Sequence, residues 1–304
     1  MRSCYSLCKY SHHCPEVILE RQGLQGLDGK GQWPVPQCQE REHLSNRKAF
    51  AHSSEVANAR TVAGYILNYS EYKELQQLSQ LSRHNPADPC GVIFGQQFGA
   101  GFVRPDAEGT ELEMMVKVMI NVKPETYLEI GTGKSTSWFP LISSQRAYAL
   151  ENSVPYCESV LKSPVVECLV SQGRLQYVCG SGVNPDGTPL KLAQNGYPAQ
   201  GTNISALAHA YVFAIDTFGF SQLDMALVDG RFRVACALKL LNYFHDESVL
   251  LIHDFWTRPQ YGDVFRYYDL IGYTYSLAVL RRKNPRYLLE DWRMAWKRYL
   301  HDPF

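Results

Sequence analysis

Residues 127–140 read YLEIGTGKSTSWFP, and they set an acid, Glu129, beside two glycines, Gly131 and Gly133, a lysine, Lys134, and two hydroxyls, Ser135 and Thr136. Such a turn can cradle a phosphate or hold a cationic ligand, and the spacing decides between the two. A phosphate-wrapping loop needs G-x-x-x-x-G-K-[ST], because its backbone must enclose the phosphate before the lysine arrives. Counting back from Gly133 puts Leu128 where the first glycine belongs, inside the apolar run TYLEI. No room is left for the wrap, so a triphosphate grip is excluded. The dinucleotide pattern G-x-G-x-x-G matches at Gly131 and Gly133, but Thr136 stands where the last glycine would let helix and strand approach.

Two acids sharpen the reading. Glu151 ends the next apolar run, AYALE, where an acid can accept both hydroxyls of a ribose. Glu129 precedes the first glycine, where it would repel a pyrophosphate in a half-buried cleft and attract a cation. A ligand with adenosine at one end and an ammonium and a sulfonium at the other satisfies both acids. That ligand is S-adenosylmethionine.

YLEIGTGKSTSWF followed by AYALEN resembles the first two motifs of class I S-adenosylmethionine-dependent methyltransferases, in particular a branch reading E-x-G-x-G-x-S-T, and small-molecule O-methyltransferases among them. The likeness spans about residues 105–283 and takes in LDMALVDGRFRVACALKLLNYF and VLLIHDFWTRPQY, which are similar to the fourth and fifth strands of that branch. The resemblance implies that Glu129 orders the turn and the amino-acid end of the cofactor. Gly131 and Gly133 would admit it closely, Thr132, Ser135 and Thr136 would offer amides and hydroxyls, and Glu151 with Asn152 would hold the ribose. This chain departs from the pattern with Ser135 in place of a third glycine and with a bulky Lys134.

Acceptor chemistry is sought at the later strand ends. Asp229 closes the run DMALV, with helix capping as its structural alternative. His253 and Asp254 close VLLI. An imidazole with an ordinary pKa of about 6.5 suits proton removal from a hydroxyl, so His253 or Asp254 is the expected base. Asp229 and Asp254 could hold a divalent ion through oxygen. Metal-dependent relatives usually carry Asn after the second Asp, whereas Phe255 stands here, and the expectation is no metal. Arg231, Arg233 and Arg258 follow these ends, and their forked donors suit an acceptor carrying carboxylate or phosphate. The Gly-, Pro-, Asn- and Gln-rich stretch from Ser181 to Ser205 would either cover the acceptor or hang as a loose insertion.

The elements that must position these groups follow from pattern. TYLEI, AYALE, LQYVC, DMALVD and VLLIHD alternate with helical stretches, and YYDLIGYTYSLAVLRRK supplies two closing strands. Strands alternating with helices predict an α/β, doubly wound, mostly parallel sheet with helices on both faces. The resemblance implies seven strands of a Rossmann-like sheet, the last antiparallel. A helix with a TELE capping box, Thr110 as cap and Glu113 reaching back, precedes the first strand. Residues 1–50 read as an irregular arm, 51–104 as a helical region with period from Val62 to Leu81, 105–283 as the cofactor domain and 284–304 as a packed terminal helix. Cys4, Cys8, His12, His13 and Cys14 match no zinc-finger spacing.

Thirty basic and thirty acidic residues cancel, so no global field favours nucleic acid or an anionic bilayer. No run reaches the ~18 apolar residues of a membrane span. Nine cysteines, with Cys157, Cys168, Cys179 and Cys236 in or beside apolar runs, read as free thiols in a reducing, cytoplasmic setting. The expected activity is methyl transfer to a small-molecule hydroxyl. A nicotinamide-dependent oxidoreductase and a non-catalytic protein of the same fold are the alternatives.

Overall fold

In a computed structural model, which describes residues 88–99, 109–143, 145–180, 182–184, 186–193, 196–274, 276–284 and 292–304, the apolar runs line up as one sheet. Its strands are β1 (Thr126–Ile130), β2 (Arg146–Glu151), β3 (Leu175–Cys179), β4 (Leu223–Val228), β5 (Phe244–Ile252), β6 (Tyr268–Tyr273) and β7 (Ala278–Arg282), in the order β3-β2-β1-β4-β5-β7-β6. The first five pair in parallel. β7 inserts antiparallel between β5 and β6, so it is the reversed strand, as the resemblance implied. This is the Rossmann-like arrangement, and the order reverses between β1 and β4, where the carboxyl ends of the strands open a crevice.

Because side chains alternate along a strand, each strand feeds two cores. Leu128 and Ile130 of β1 join Leu150, Val228, Leu250 and Ile252 on one face, packed by α6 (Ile204–Tyr211), α7 (Arg233–Leu240) and Trp292 and Trp296 near the C-terminus. Trp292 and Trp296 are buried in this cluster. Tyr127 joins Ala147, Ala149, Leu227 and Leu251 on the other face, under α1 (Pro89–Gly99), α2 (Gly109–Val122) and α5 (Pro164–Ser171). Glu129, two residues after Tyr127, is a carboxylate on that second, apolar face.

α2 begins at Gly109, one residue ahead of the expected cap Thr110, and the side chains of Thr110 and Glu113 fall outside the described residues. Its apolar face is the expected one, with Leu112, Met115, Val116 and Met119 buried. The helical period from Val62 to Leu81 and the arm of residues 1–50 also lie outside the described residues. The closing strands turn at polar residues, where Thr274 Oγ1 accepts from Leu277 N at 3.2 Å, and Gly272 marks a register shift instead. Asn203 caps α6, its side chain accepting from Ala206 N at 3.1 Å.

The thiol reading needs correction. Cys90 pairs with Cys168 at a Cα–Cα distance of 5.5 Å, and Cys157 with Cys179 at 5.8 Å; Cys236 is the buried free thiol among the described residues. Segments far apart in sequence bring these cysteines together, which a count of apolar neighbours does not reveal. Disulfides persist in oxidising surroundings, so the argument for a reducing compartment loses its support. No helix among the described residues is long and apolar enough to cross a membrane.

The second disulfide joins α4 (Val154–Leu161), just after Glu151, to the end of β3. Its loop is short enough that removal costs about 3 kcal/mol on chain-entropy grounds. Peptide mapping of protein prepared without reductant is expected to recover both pairs, and reductant to lower the melting temperature. Recovery of all four as free thiols, with melting unchanged by reductant, contradicts the pairing.

Candidate functional site

Two carboxylates meet at the first two strand tips. The Glu129 side chain is fully buried; its Oε1 accepts from Ser135 Oγ at 2.5 Å and Thr136 Oγ1 at 3.1 Å. Thr136 Oγ1 also accepts from Gly133 N at 3.0 Å, which closes the single 3-10 turn Lys134–Ser137 onto the acid. Glu129 Oε2 and Tyr127 Oη are both buried without a hydrogen bond of full geometry, yet the phenol lies close enough to favour the carboxylate. Burial pushes the Glu129 carboxyl up to about 8, against the pull of the Ser135 and Thr136 hydroxyls.

Glu151 Oε2 accepts from Thr132 N at 3.1 Å, and Oε1 accepts from Asn152 N at 2.9 Å and Ser153 N at 2.8 Å. Burial raises its pKa while these amides hold it down. Gly131 lies between the two acids at φ +86°, and a Cβ there would come within 2.5 Å of Gly230 N and 2.6 Å of the Asp229 carbonyl carbon. Only glycine lets the β1 turn approach the β4 tip this closely. Tyr177 of β3 bonds Thr132 Oγ1 through its hydroxyl.

The β4 and β5 tips carry a second cluster. His253 Nδ1 lies 3.0 Å from Asp229 Oδ1, and Nε2 lies 3.3 Å from Glu111 Oε2 of α2. Ser276 Oγ donates to the other oxygen of Glu111. Burial pulls the His253 pKa down, but hydrogen bonds to Asp229 and Glu111 and the charges of Asp229 and Asp254 outweigh it and carry the imidazole to about 10. A histidine with both nitrogens protonated and engaged has no lone pair to receive a proton. The expectation that His253 is the base does not fit this geometry.

Arg233 is fully committed as well. Its Nε donates to Gly230 O at 2.9 Å and a terminal nitrogen donates to His253 O. Nη2 lies 3.3 Å from both Asp229 Oδ1 and Asp254 Oδ2. This guanidinium braces the β4 tip to the β5 tip and has nothing left to offer an acceptor. Asp229, His253 and Asp254 do bring ligand atoms within 4.8 Å of one another. Arg233 already holds the cationic position between the two carboxylates, so these residues do not fit a divalent ion and no step is routed through one. Asp229 does not cap α7, whose boundary residue is Phe232. Phe232 at φ 53° and Asp254 at φ 50° hold left-handed backbone without being glycine, an outlier conformation that tends to gather at functional sites.

The stretch from Ser181 to Ser205 is built, where described, on antiparallel bridges Val183–Pro189 and Leu192–Pro198, and it lies on the same rim. Asn152 Nδ2 reaches Gly196 O at 3.5 Å, and the Arg231 guanidinium lies 3.9 Å over the Tyr197 ring. Arg258 donates to Tyr197 Oη at 3.3 Å and Tyr261 Oη at 3.2 Å. Glu111, Tyr197 and Ser276 went unnoticed in the sequence. Glu111 stands inside a capping pattern, and Tyr197 inside a stretch without period.

The imidazolium has a consequence for stability. A folded pKa near 10 against an ordinary 6.5 means its contribution is complete below pH 6.5 and is lost as pH rises through 10. Urea unfolding at pH 6.5 and pH 10 is expected to show this loss and His253→Gln to remove it. A His253 resonance titrating near 6.5 contradicts it.

No protein-family model matches the chain. No curated protein matches it. Among solved structures, it is similar to a methyltransferase-like protein from Silicibacter pomeroyi, at 20% identity and TM-score 0.48, covering 66% of this chain and 100% of that one. A methyltransferase from Geobacter sulfurreducens is 13% identical at TM-score 0.37, covering 71% and 97%. A SAH-bound methyltransferase from Podospora anserina is 16% identical at TM-score 0.36, covering 72% and 99%. Identities and overlaps this low carry no functional argument, which rests on the chain's own residues.

Proposed function

We propose that this chain is an S-adenosylmethionine-dependent methyltransferase acting on a hydroxyl of a small molecule, with its cofactor domain over residues 105–283. One observation carries the reading: Glu129 and Glu151, both buried, flank the Gly131 turn beside the switch of strand order. Two acids there suit a cationic nucleoside and repel a pyrophosphate, which also argues against a nicotinamide cofactor.

S-adenosylmethionine supplies an electrophilic methyl group. The chain's own residues bind, orient and move one proton. Glu129, with its unpaired oxygen, takes the ammonium end, and the Glu151 carboxylate, already held by three backbone amides, takes the ribose hydroxyls. Asp254 accepts the proton of the acceptor hydroxyl. Its side chain is 42% exposed on the rim; Oδ2 meets Arg233 at 3.3 Å, and Oδ1, which accepts no hydrogen bond among the described residues, is left for the acceptor. Most of the rate then comes from holding two reactants in line.

Calorimetry and turnover separate these roles. Because the free Glu129 carboxyl sits near 8, cofactor affinity is expected to rise from pH 6 toward 8 and to level off above it. Glu129→Gln is expected to remove that slope and weaken binding ~10–100-fold, the scale of a charge-assisted hydrogen bond. Asp254→Asn is expected to slow turnover ~10²–10⁴-fold with cofactor affinity kept. Absence of cofactor binding at any of these pH values contradicts the assignment, and full turnover by Asp254→Asn excludes that residue as the base.

A further inference from the structure

Charge at the β4 and β5 tips does not balance. Among the described groups, three carboxylates, Asp229, Asp254 and Glu111, face four cations, Arg231, Arg233, Arg258 and the His253 imidazolium. Arg233 takes two of the carboxylates and His253 bridges Asp229 and Glu111. Arg258 has only a 3.7 Å approach to Asp254. Arg231 makes no direct ion pair among the described residues and meets the Asp229 charge only at longer range; it is 7% exposed, and its Nε is buried without a hydrogen-bond partner. A guanidinium removed from water without an anion is costly, by several kcal/mol in order of magnitude, unless another group supplies the opposite charge.

The surroundings of Arg231 are also arranged. Its guanidinium lies over the Tyr197 ring at 3.9 Å, and Phe304 stacks on that ring at 5.6 Å between centroids. Arg258 reaches the hydroxyl of the same tyrosine from the β5 side and also contacts Tyr261. Contact of this kind restrains the guanidinium, whose forked donors can meet two oxygens at once. The phenol registers both cations: burial pushes the Tyr197 pKa up, but hydrogen bonding and charge from Arg231, then Arg258, bring it below the ordinary value.

We propose that Arg231 and Arg258, gathered around Tyr197, bind an oxyanion, a carboxylate or a phosphate, carried by the methyl acceptor. This rests on the methyl-transfer reading and narrows the acceptor to an anionic hydroxy compound. The Tyr197 stretch thereby becomes the wall that selects the acceptor, since it contributes the surface on which the two guanidinium groups converge.

The test titrates the full chain with benzoate, phenyl phosphate and uncharged benzamide by calorimetry, with and without S-adenosylhomocysteine. The expected result is binding of at least one anion ~10-fold or more above benzamide, and the tighter of the two anions identifies the source of charge. Arg231→Met is expected to lower anion affinity ~10–100-fold, the range of a hydrogen bond to a charged group. Because Arg231 is buried and its loss could unfold the chain, Arg258→Met, at a more exposed position, is the second variant and is expected to lower anion affinity as well. Equal binding of benzoate, phenyl phosphate and benzamide overturns the proposal, as does anion affinity unchanged in both variants. So does an Arg231→Met protein that is folded and has lost S-adenosylhomocysteine, because the arginine then serves the cofactor's own carboxylate. If the wild-type chain binds no S-adenosylhomocysteine, methyl transfer fails, while the anion preference read without it still decides this inference.

Discussion

A carboxylate buried at the end of a strand, with one oxygen unpaired, is the constraint around which the rest of the site is arranged. Glu129 sits on the apolar face of β1, where an ionised group without a counter-charge is strongly disfavoured. The turn after it supplies two hydroxyls to one oxygen only. Gly131, admissible as nothing else at that φ and that distance from Gly230, lets the β1 and β4 tips close on each other. The geometry thus keeps a latent negative charge next to the strand-order reversal, and a cationic ligand is what would release it.

The second cluster solves a related problem with protein groups alone. Asp229 and Asp254 end neighbouring parallel strands and would repel each other. Arg233 lies between them, and the His253 imidazolium ties Asp229 to Glu111 of the preceding helix. Two tips and a helix are thereby fixed by charge, which leaves the second oxygen of Asp254 and the unbalanced Arg231 facing whatever enters. Positive φ at Phe232 and Asp254 belongs to the same arrangement, since Phe232 immediately precedes Arg233 and Asp254 is one of its partners.

Much of this was legible in the chain. Strand positions followed from short apolar runs, and the reversed strand followed from the resemblance; both were realised. Glu129, Gly131, Ser135, Thr136 and Glu151 stand together because a parallel sheet brings successive strand ends to one edge. What the sequence hid depends on distant contacts. Glu111 looks like part of a helix cap until α2 is laid against β5. The fate of His253 hinges on that same packing, because an isolated histidine reads as a base and a doubly bonded one does not. The cysteines of α1 and α5, and of α4 and β3, resemble buried thiols until the sheet brings them face to face. Tyr197 lies in a stretch with no period, where local pattern carries no information about contact.

The central claim is that the pair of acids at the β1 and β2 tips selects a cationic adenosine ligand. Competition at equilibrium tests it most directly: radiolabelled S-adenosylmethionine bound to the full chain, challenged in turn by S-adenosylhomocysteine, ATP and NADH. The account predicts displacement by S-adenosylhomocysteine and none by ATP or NADH at matched concentration. Displacement by ATP, or a chain that binds ATP and leaves the sulfonium compound in solution, contradicts it.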